Sequence, residues 1–494
     1  MLEVYRREKH AMGRPAGEGS RPPLIHPLRS KSDLRRMIRG WPQFIEGLAR
    51  FGDAVEWSIG PMRETLFFHP EQIGEVLAAA GANGPLGRTL VEGFQEHAEV
   101  IGNNGLVMSE GALWKKQRRI LQPGMHRQRI SEYTSTMVDF AEDMCDQWAA
   151  GAVLNMQREM ERLTRRIMTR TLFGADLSNA ESDEIKRVMD RQLFLNGVEF
   201  LLGNSLPPRV PTPLRAALRA SSNRLKMLFR AVITRRLNEN NELRLRRDTD
   251  LLDMLLEARD DNGMPMPEGQ LLDEMHNMFL GGYETSSNSL GFIGALLARR
   301  PDLQDRIAIE IEQAVGCCKL TFEHIKGLSL VEAVVKEALR LYPPVFALPG
   351  HVVKIPTTLC GYDFQPRQRI IVCPYVTQRD PRWFVDAHEF RPDRWLDGST
   401  QNMPRFAWIP FGGGPRVCYG QNFAMAEMIL VLAVVMRRFK FDLPAGSSND
   451  VNTGLSPTFM LKVNNDEVAI TARTATGLEA NNEISDSLTE TFPP

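Results

Sequence analysis

Apolar residues recur three and four positions apart through most of 111–300, the period of helices with one buried face. The pattern predicts helices over 112–121, 129–149, 156–172, 182–202, 213–238, 248–259 and 268–300. The last would be about 50 Å long at ~1.5 Å per residue, enough to cross the whole molecule. Helices over 302–315 and 330–342 follow, the second stopped by Pro343-Pro344. A further apolar helix covers 421–439. Alternating, strand-like runs are short: 55–59 and 65–68 flank Gly60-Pro61 as a hairpin, and others lie at 369–373, 440–443, 457–463 and 468–471. Short helices are expected over 32–51 and 71–80, and 82–107 and 380–410 show little regular period. With no internal repeat and no dividing linker, the pattern predicts one mainly α domain with a minor β part over 41–474. A basic, flexible leader over 1–40 would precede it and a polar, disordered tail over 475–494 would follow.

Composition narrows the class. The 494 residues are 43% hydrophobic and 24% charged, as in a soluble globular protein. A net charge of −1 gives no electrostatic case for nucleic acid. Six cysteines without a C-x-x-C pair leave zinc ribbons, redox dithiols and iron–sulfur spacings unsupported, and so sparse a set suggests a reducing compartment. No apolar run approaches the ~20 residues that span a bilayer. Residues 1–40 carry ten Lys/Arg against four Asp/Glu and no hydrophobic stretch, which is not a secretory signal.

Four stretches carry chemistry. In Phe411-Gly-Gly-Gly-Pro-Arg-Val-Cys-Tyr-Gly420, Cys418 lies just before a helix, where peptide dipoles and free N–H groups favour a thiolate. The glycines let backbone pass close to something flat. A thiolate so placed is a metal ligand or a nucleophile, and a structural cysteine in a Gly-rich turn is the alternative. At the centre of the long helix, Gly281-Gly-Tyr-Glu-Thr-Ser-Ser287 sets two helix-weakening glycines beside an acid and an alcohol. Thr285 can donate back to carbonyl 281, and Glu284 beside it suggests a proton relay. A helix crossing at small residues is the alternative. Glu337 and Arg340 share one helix face in an apolar setting, with Arg394 a candidate third partner. Trp114 and Arg118 place two donors four apart on one face, able to hold a carboxylate or merely part of an amphipathic helix.

Taken in order, these stretches resemble the cytochrome P450 haem-thiolate monooxygenases. W-x-x-x-R is Trp114 to Arg118; [AG]-G-x-[DE]-T-[TS] is Gly281 to Ser286; E-x-x-R is Glu337 to Arg340; P-[ED]-R-[FW] is Pro392 to Trp395. The ligand loop F-x-x-G-x-R-x-C-x-G is matched at Phe411, Gly414, Arg416, Cys418 and Gly420. The motif set is of the eukaryotic-like kind, and the resemblance covers roughly 40–472. It implies a long central helix over a haem and a cysteine-ligand loop beneath it. Cys418 would be the iron ligand, Phe411 would pack beside the thiolate, and Gly420 would let the next helix approach the ring. Arg416, Trp114 and Arg118 would hold the propionates. Gly281 and Gly282 would open a groove over the distal face, where Glu284 and Thr285 would manage protons for dioxygen chemistry. Glu337, Arg340 and Arg394 would form a structural triad.

Two positions depart from the family. Many relatives carry a propionate-binding arginine where this chain has Gly350 and His351, so His351 substitutes or the contact is missing. Tyr283 either narrows the distal pocket or points away from the haem. The resemblance further implies haem b, with no flavin, nicotinamide or fused reductase on this chain. Electrons would come from a ferredoxin, flavodoxin or flavoprotein reductase, with Lys115, Lys116, Arg118 and Arg119 on the docking face. O2 and an apolar small molecule (a fatty acid, terpenoid or steroid-like compound) would be substrates, between walls at 82–107, 194–206, 278–285, 345–348 and 456–459. A monomeric, cytoplasmic, bacterial protein is expected. The rival expectations are a haem-thiolate peroxygenase, isomerase or dehydratase, against which the Glu284-Thr285 pair argues, and a non-catalytic haem-binding sensor.

Overall fold

The computed structural model describes residues 21–25, 40–59, 62–81, 83–88, 105–174, 177–202, 212–238, 250–260, 262–348, 350–456, 460–464 and 466–473. Its principal helices are α1 (Trp41–Leu48), α2 (Pro70–Ala79), α3 (Gly111–Leu121), α4 (Arg127–Asp146), α5 (Met156–Phe173), α6 (Asn179–Leu202), α7 (Pro213–Leu237), α8 (Leu251–Glu257), α9 (Glu268–Leu297), α10 (Pro301–Val315), α11 (Ser329–Leu341) and α12 (Gln421–Arg438). Their starts carry the chemistry that ends of helices need: the side chains of Asn155 and Thr212 accept backbone N–H bonds from Arg158 and Arg215, and Asp250 forms a capping box with Asp253. The predicted long helix ends at Leu297 rather than 300, and Pro301 opens α10, where its missing N–H costs nothing.

Six strands form the larger sheet: β1 (Leu24–Ile25), β2 (Ala54–Ile59), β3 (Met62–Phe67), β4 (Leu86–Arg88), β6 (His351–Val353) and β9 (Arg369–Val372), in the order β1-β2-β3-β9-β6-β4. The hairpin β2–β3 is as predicted, and β3 runs parallel to β9 with Thr65 opposite Ile370. Leu24–Ile25, inside the segment expected to be a flexible leader, pairs in parallel with Glu56–Trp57. The predicted tail lies outside the described residues. Among the described residues a three-stranded sheet joins β5 (Val153–Asn155), β10 (Phe439–Asp442) and β13 (Glu467–Ala472), and two small antiparallel pairs join β7 (Thr357–Leu359) to β8 (Tyr362–Phe364) and β11 (Thr453–Leu455) to β12 (Leu461–Val463).

The 30 residues of α9 run through the main core. Its glycines explain how it fits. A Cβ on Gly282 would collide with the Met168 thioether, one on Gly291 with the Gln157 amide, and one on Gly294 would come within 2.5 Å of Met156 Cγ. All three partners are on α5, so the two backbones approach closely along this seam. Gln157 donates to Asn288 Oδ1 at 2.8 Å and Thr164 to the Tyr283 carbonyl at 3.0 Å across it. Gly282 thus follows the helix-crossing alternative: packing against α5, rather than a groove, accounts for its missing side chain. No described helix is long and apolar enough to cross a membrane.

Candidate active site

The cysteine loop folds as a tight knot ahead of α12. Gly412 and Gly414 have φ of 70° and 64°, which a side chain rarely adopts. A Cβ on Gly414 would stand 2.7 Å from the Leu77 carbonyl, and one on Gly413 would be 2.9 Å from the Phe406 ring. The Cys418 N–H donates to the Phe411 carbonyl at 2.9 Å, closing the knot. Phe411 packs edge-on against Trp408 with ring centres 6.3 Å apart. The Cys418 sulfur is accessible, yet protein surrounds it closely enough for burial to push the thiol upward; its accessible face is therefore interior. The Gly420 N–H and the Arg118 guanidinium act in the opposite direction. The expected thiolate preference is outweighed by burial in the protein alone, and a metal cation at the sulfur reverses that balance.

Around this thiol α3 contributes donors. Trp114 is buried and lies under the Arg416 guanidinium, 4.4 Å from ring centre to Cζ. Arg118 donates to the Val417 carbonyl at 2.9 Å and lies 6.0 Å from the Tyr419 ring centre. Arg416 donates to the Ser109 carbonyl at 2.9 Å. His351, in β6 opposite Arg88 and Ile370, lines a small polar recess together with Arg416, Glu110 and Lys354. His351, expected either to replace a propionate-binding arginine or to leave that contact missing, shares this recess with Arg416.

Along α9, every residue from 270 to 298 is buried except Leu280, Gly281, Gly282 and Thr285. The helix is thus opened at its middle, where Gly281 and Thr285, four apart, share one stripe. A Cβ on Gly281 would meet nothing within 4 Å. Thr285 donates its hydroxyl to the Gly281 carbonyl at 2.8 Å, the back-bond predicted from the spacing. Glu284 is buried, and its carbonyl accepts from the Ser287 hydroxyl at 3.0 Å. Tyr283 turns away toward α6, its hydroxyl 3.5 Å from Asp190 and its ring 5.4 Å from that of Phe279. Parts of the expected pocket walls, 89–104, 203–206 and 457–459, lie outside the described residues.

The Glu337–Arg340–Arg394 group is brought together entirely within protein. Arg340 donates to both Glu337 oxygens at 2.9 and 2.8 Å, and Arg394 to Oε1 at 3.0 Å. Two further members join it: the indole of Trp395, a motif position with no partner assigned from the sequence, donates to Glu337 Oε2 at 2.9 Å, and the Arg391 backbone N–H, which had no sequence signal, donates to Oε1 at 3.0 Å. The remaining guanidinium donors reach carbonyls of residues 378, 385, 386, 387 and 389.

The sequence profile described as Cytochrome P450 matches residues 42–469. The chain belongs to the cytochrome P450 family. Cyclooctatin synthase of Streptomyces melanosporofaciens is 30% identical over 412 residues, 82% of this chain and 86% of that protein. Cyclooctat-9-en-7-ol 5-monooxygenase of the same organism is 28% identical over 81% and 84% of the two chains. The solved structure of retinoic acid-bound cyanobacterial CYP120A1 superposes with a TM-score of 0.73 at 20% identity, covering 94% of this chain and all of the other. The protein is accordingly a cytochrome P450 monooxygenase with the fold of that family, whose cofactor is haem. The residues present fit that group. The P450 chain offers an accessible sulfur with an interior face, guanidinium and indole donors from Arg118, Arg416 and Trp114 beside it, and a helix whose accessible stripe is centred on a glycine.

Proposed function

We propose that this P450 binds haem b through Cys418 and inserts one oxygen atom of O2 into an apolar, terpenoid-like molecule, with electrons supplied by a separate ferredoxin, flavodoxin or flavoprotein. The observation that carries the reading is the interior-facing Cys418 thiol, held in a glycine knot beside Arg416, Arg118 and Trp114. Haem held there supplies activation of dioxygen and transfer of oxygen to the substrate. Arg118, Arg416, Trp114 and His351 would hold its carboxylates, and Gly420 and Phe411 its sulfur-side face. Thr285 spends its proton on the Gly281 carbonyl, so its oxygen can accept a hydrogen bond from a bound molecule, while buried Glu284 supplies and takes up protons next to it. The substrate class rests on the relatives, whose names include cyclooctat-9-en-7-ol, and on the apolar character of Leu280, Gly281, Ala347 and Leu348. All six cysteines are free, in keeping with a reducing, cytoplasmic setting.

The test is a titration of apolar polycyclic compounds followed by the Soret band, with product analysis for the tightest. A substrate-induced spin change and an oxygenated product are expected. A reduced, carbon-monoxide-bound spectrum without the thiolate signature, or a Cys418→Ala variant that keeps it, overturns the ligand assignment. Turnover with peroxide but with no electron-supplying partner would favour a peroxygenase.

A further inference from the structure

Residues 105–109 form a short strap between three elements. The Leu106 N–H donates to Glu274 Oε2 at 3.0 Å, and the Val107 N–H to Asn277 Oδ1 at 3.1 Å, both acceptors on α9. The Ser109 carbonyl accepts from Arg416 of the cysteine loop at 2.9 Å, and the Ser109 hydroxyl bonds to Gln117 of α3. The strap is pressed onto α9: a Cβ on Gly105 would lie 2.5 Å from Asn277 Nδ2 and 2.9 Å from the Asp273 carbonyl. Gly105 carries no positive φ, so contact rather than backbone conformation demands glycine there. Glu274 is wholly buried, and its Oε1 has no hydrogen-bond partner among the described residues. A buried carboxyl two turns before the open stripe of α9, spending its one good bond on a loop amide, is costly unless the loop's position matters.

We propose that Glu274 and Asn277 are positioning residues: they dock the 105–109 strap on the central helix and thereby fix the Arg416 guanidinium at the cofactor's carboxylate edge. The inference rests on haem being bound at Cys418. Arg416 is held on one side by the Trp114 ring and on another by the Ser109 carbonyl. Lifting the strap removes the Ser109 hold and loosens the guanidinium's placement.

Ionisation of Glu274 offers an independent handle. Burial pushes its carboxyl up to about 8, and Asp273 on its own helix adds to the rise. From the cysteine loop it faces Tyr419, itself pushed up by burial and by Glu274; Arg118 of α3 lies over that ring, and among the described residues the strap presents the Leu106 N–H. At neutral pH the carboxyl keeps its proton, so glutamine is a close replacement.

The experiment measures haem transfer from the holoprotein to excess apomyoglobin. Glu274→Ala and Gly105→Ala should lose haem about tenfold faster than the wild type, the effect of one lost buried hydrogen bond. Glu274→Gln should match the wild type at pH 7, and between pH 7 and 9 haem loss should accelerate more steeply in the wild type than in Glu274→Gln, which keeps the other buried carboxyl, Glu427. Ile470→Ala, in the distant β13, controls for lowered stability. Wild-type rates in Glu274→Ala and Gly105→Ala, or an acceleration no greater than that of an equally destabilised Ile470→Ala, overturn the proposal. Failure of the haem reading is distinguishable, because the wild type would then lack the thiolate-type carbon-monoxide spectrum. In that case hydrogen exchange at the Leu106 and Val107 amides decides: protection lost in Glu274→Ala supports the dock, and unchanged protection refutes it.

Discussion

Glu427 of α12 is fully buried, with neither carboxylate oxygen in a hydrogen bond of good geometry among the described residues. Burial pushes it from an ordinary 4.5 up to about 8, and the nearby Ser286 hydroxyl of α9 only partly opposes this. The folded protein therefore holds a proton that the unfolded chain releases. That contribution to stability is fully present below about 4.5 and is lost as pH rises through about 8. Glu427→Gln should flatten the fall of Tm between pH 5 and 9; an unchanged slope would rule the carboxyl out as its source. Thr285 makes a different prediction. Thr285→Ala deletes the hydroxyl on the accessible stripe without touching core packing, so substrate binding should persist while product per electron consumed falls several-fold. Thr285→Ser should restore it, and full coupling in Thr285→Ala would remove Thr285 from proton management. The sequence pointed to Thr285 through spacing alone, because a back-bond to the fourth preceding carbonyl is a local event. It was silent on Glu427 and Glu274, whose burial depends on helices that meet only in the folded chain.

At the scale of elements, the Glu337 cluster shows why a weak motif can still name a strong site. An acid and an arginine three apart contribute little on a surface. Here the side chains of Glu337, Arg340 and Arg394 are 0–1% exposed, so removing one partner strands the others in a dry interior. Glu337→Ala should cost about 3–5 kcal/mol, seen in denaturant unfolding or as loss of soluble protein. A Glu337→Ala variant with wild-type stability would show that water reaches the cluster. The apolar flanks of Glu337 signalled its burial, and Arg394 was in reach of reasoning. Trp395 stood in the Pro392–Trp395 element with no partner named for it, and Arg391 carried no signal, since no period governs the irregular segment that delivers them. The central helix divides in the same way: its length and Thr285 bond were legible, whereas only the Met168 contact separates packing-driven Gly282 from open-sided Gly281.

Across the whole molecule, the helical period located nearly every long helix because each buries one face in a common core. Strands of two or three residues, such as Leu24–Ile25, Leu86–Arg88 and Val153–Asn155, carry too few positions for an alternation to register. Charge placement, too, emerges only from the fold. Of the four cations named on α3, Lys116 is paired with Asp260 at 3.0 Å and Arg118 turns in to the Val417 carbonyl. Lys115 and Arg119 are exposed on the rim of a surface recess of about 450 Å³ that also includes Trp114, Arg118, Gln122 and His126. Arg118 joins the floor of this recess to the carbonyl next to Cys418, so an electron donor seated there would be one residue from the ligand. If an acidic donor docks here, long-range attraction by Lys115 and Arg119 speeds encounter and is screened by salt. Lys115→Glu/Arg119→Glu should therefore slow stopped-flow reduction by an acidic ferredoxin about tenfold at low ionic strength. Rates should converge with the wild type at high salt, and reduction by dithionite, which needs no protein docking, should be unchanged. Equal ferredoxin rates at low salt would move the docking face off α3.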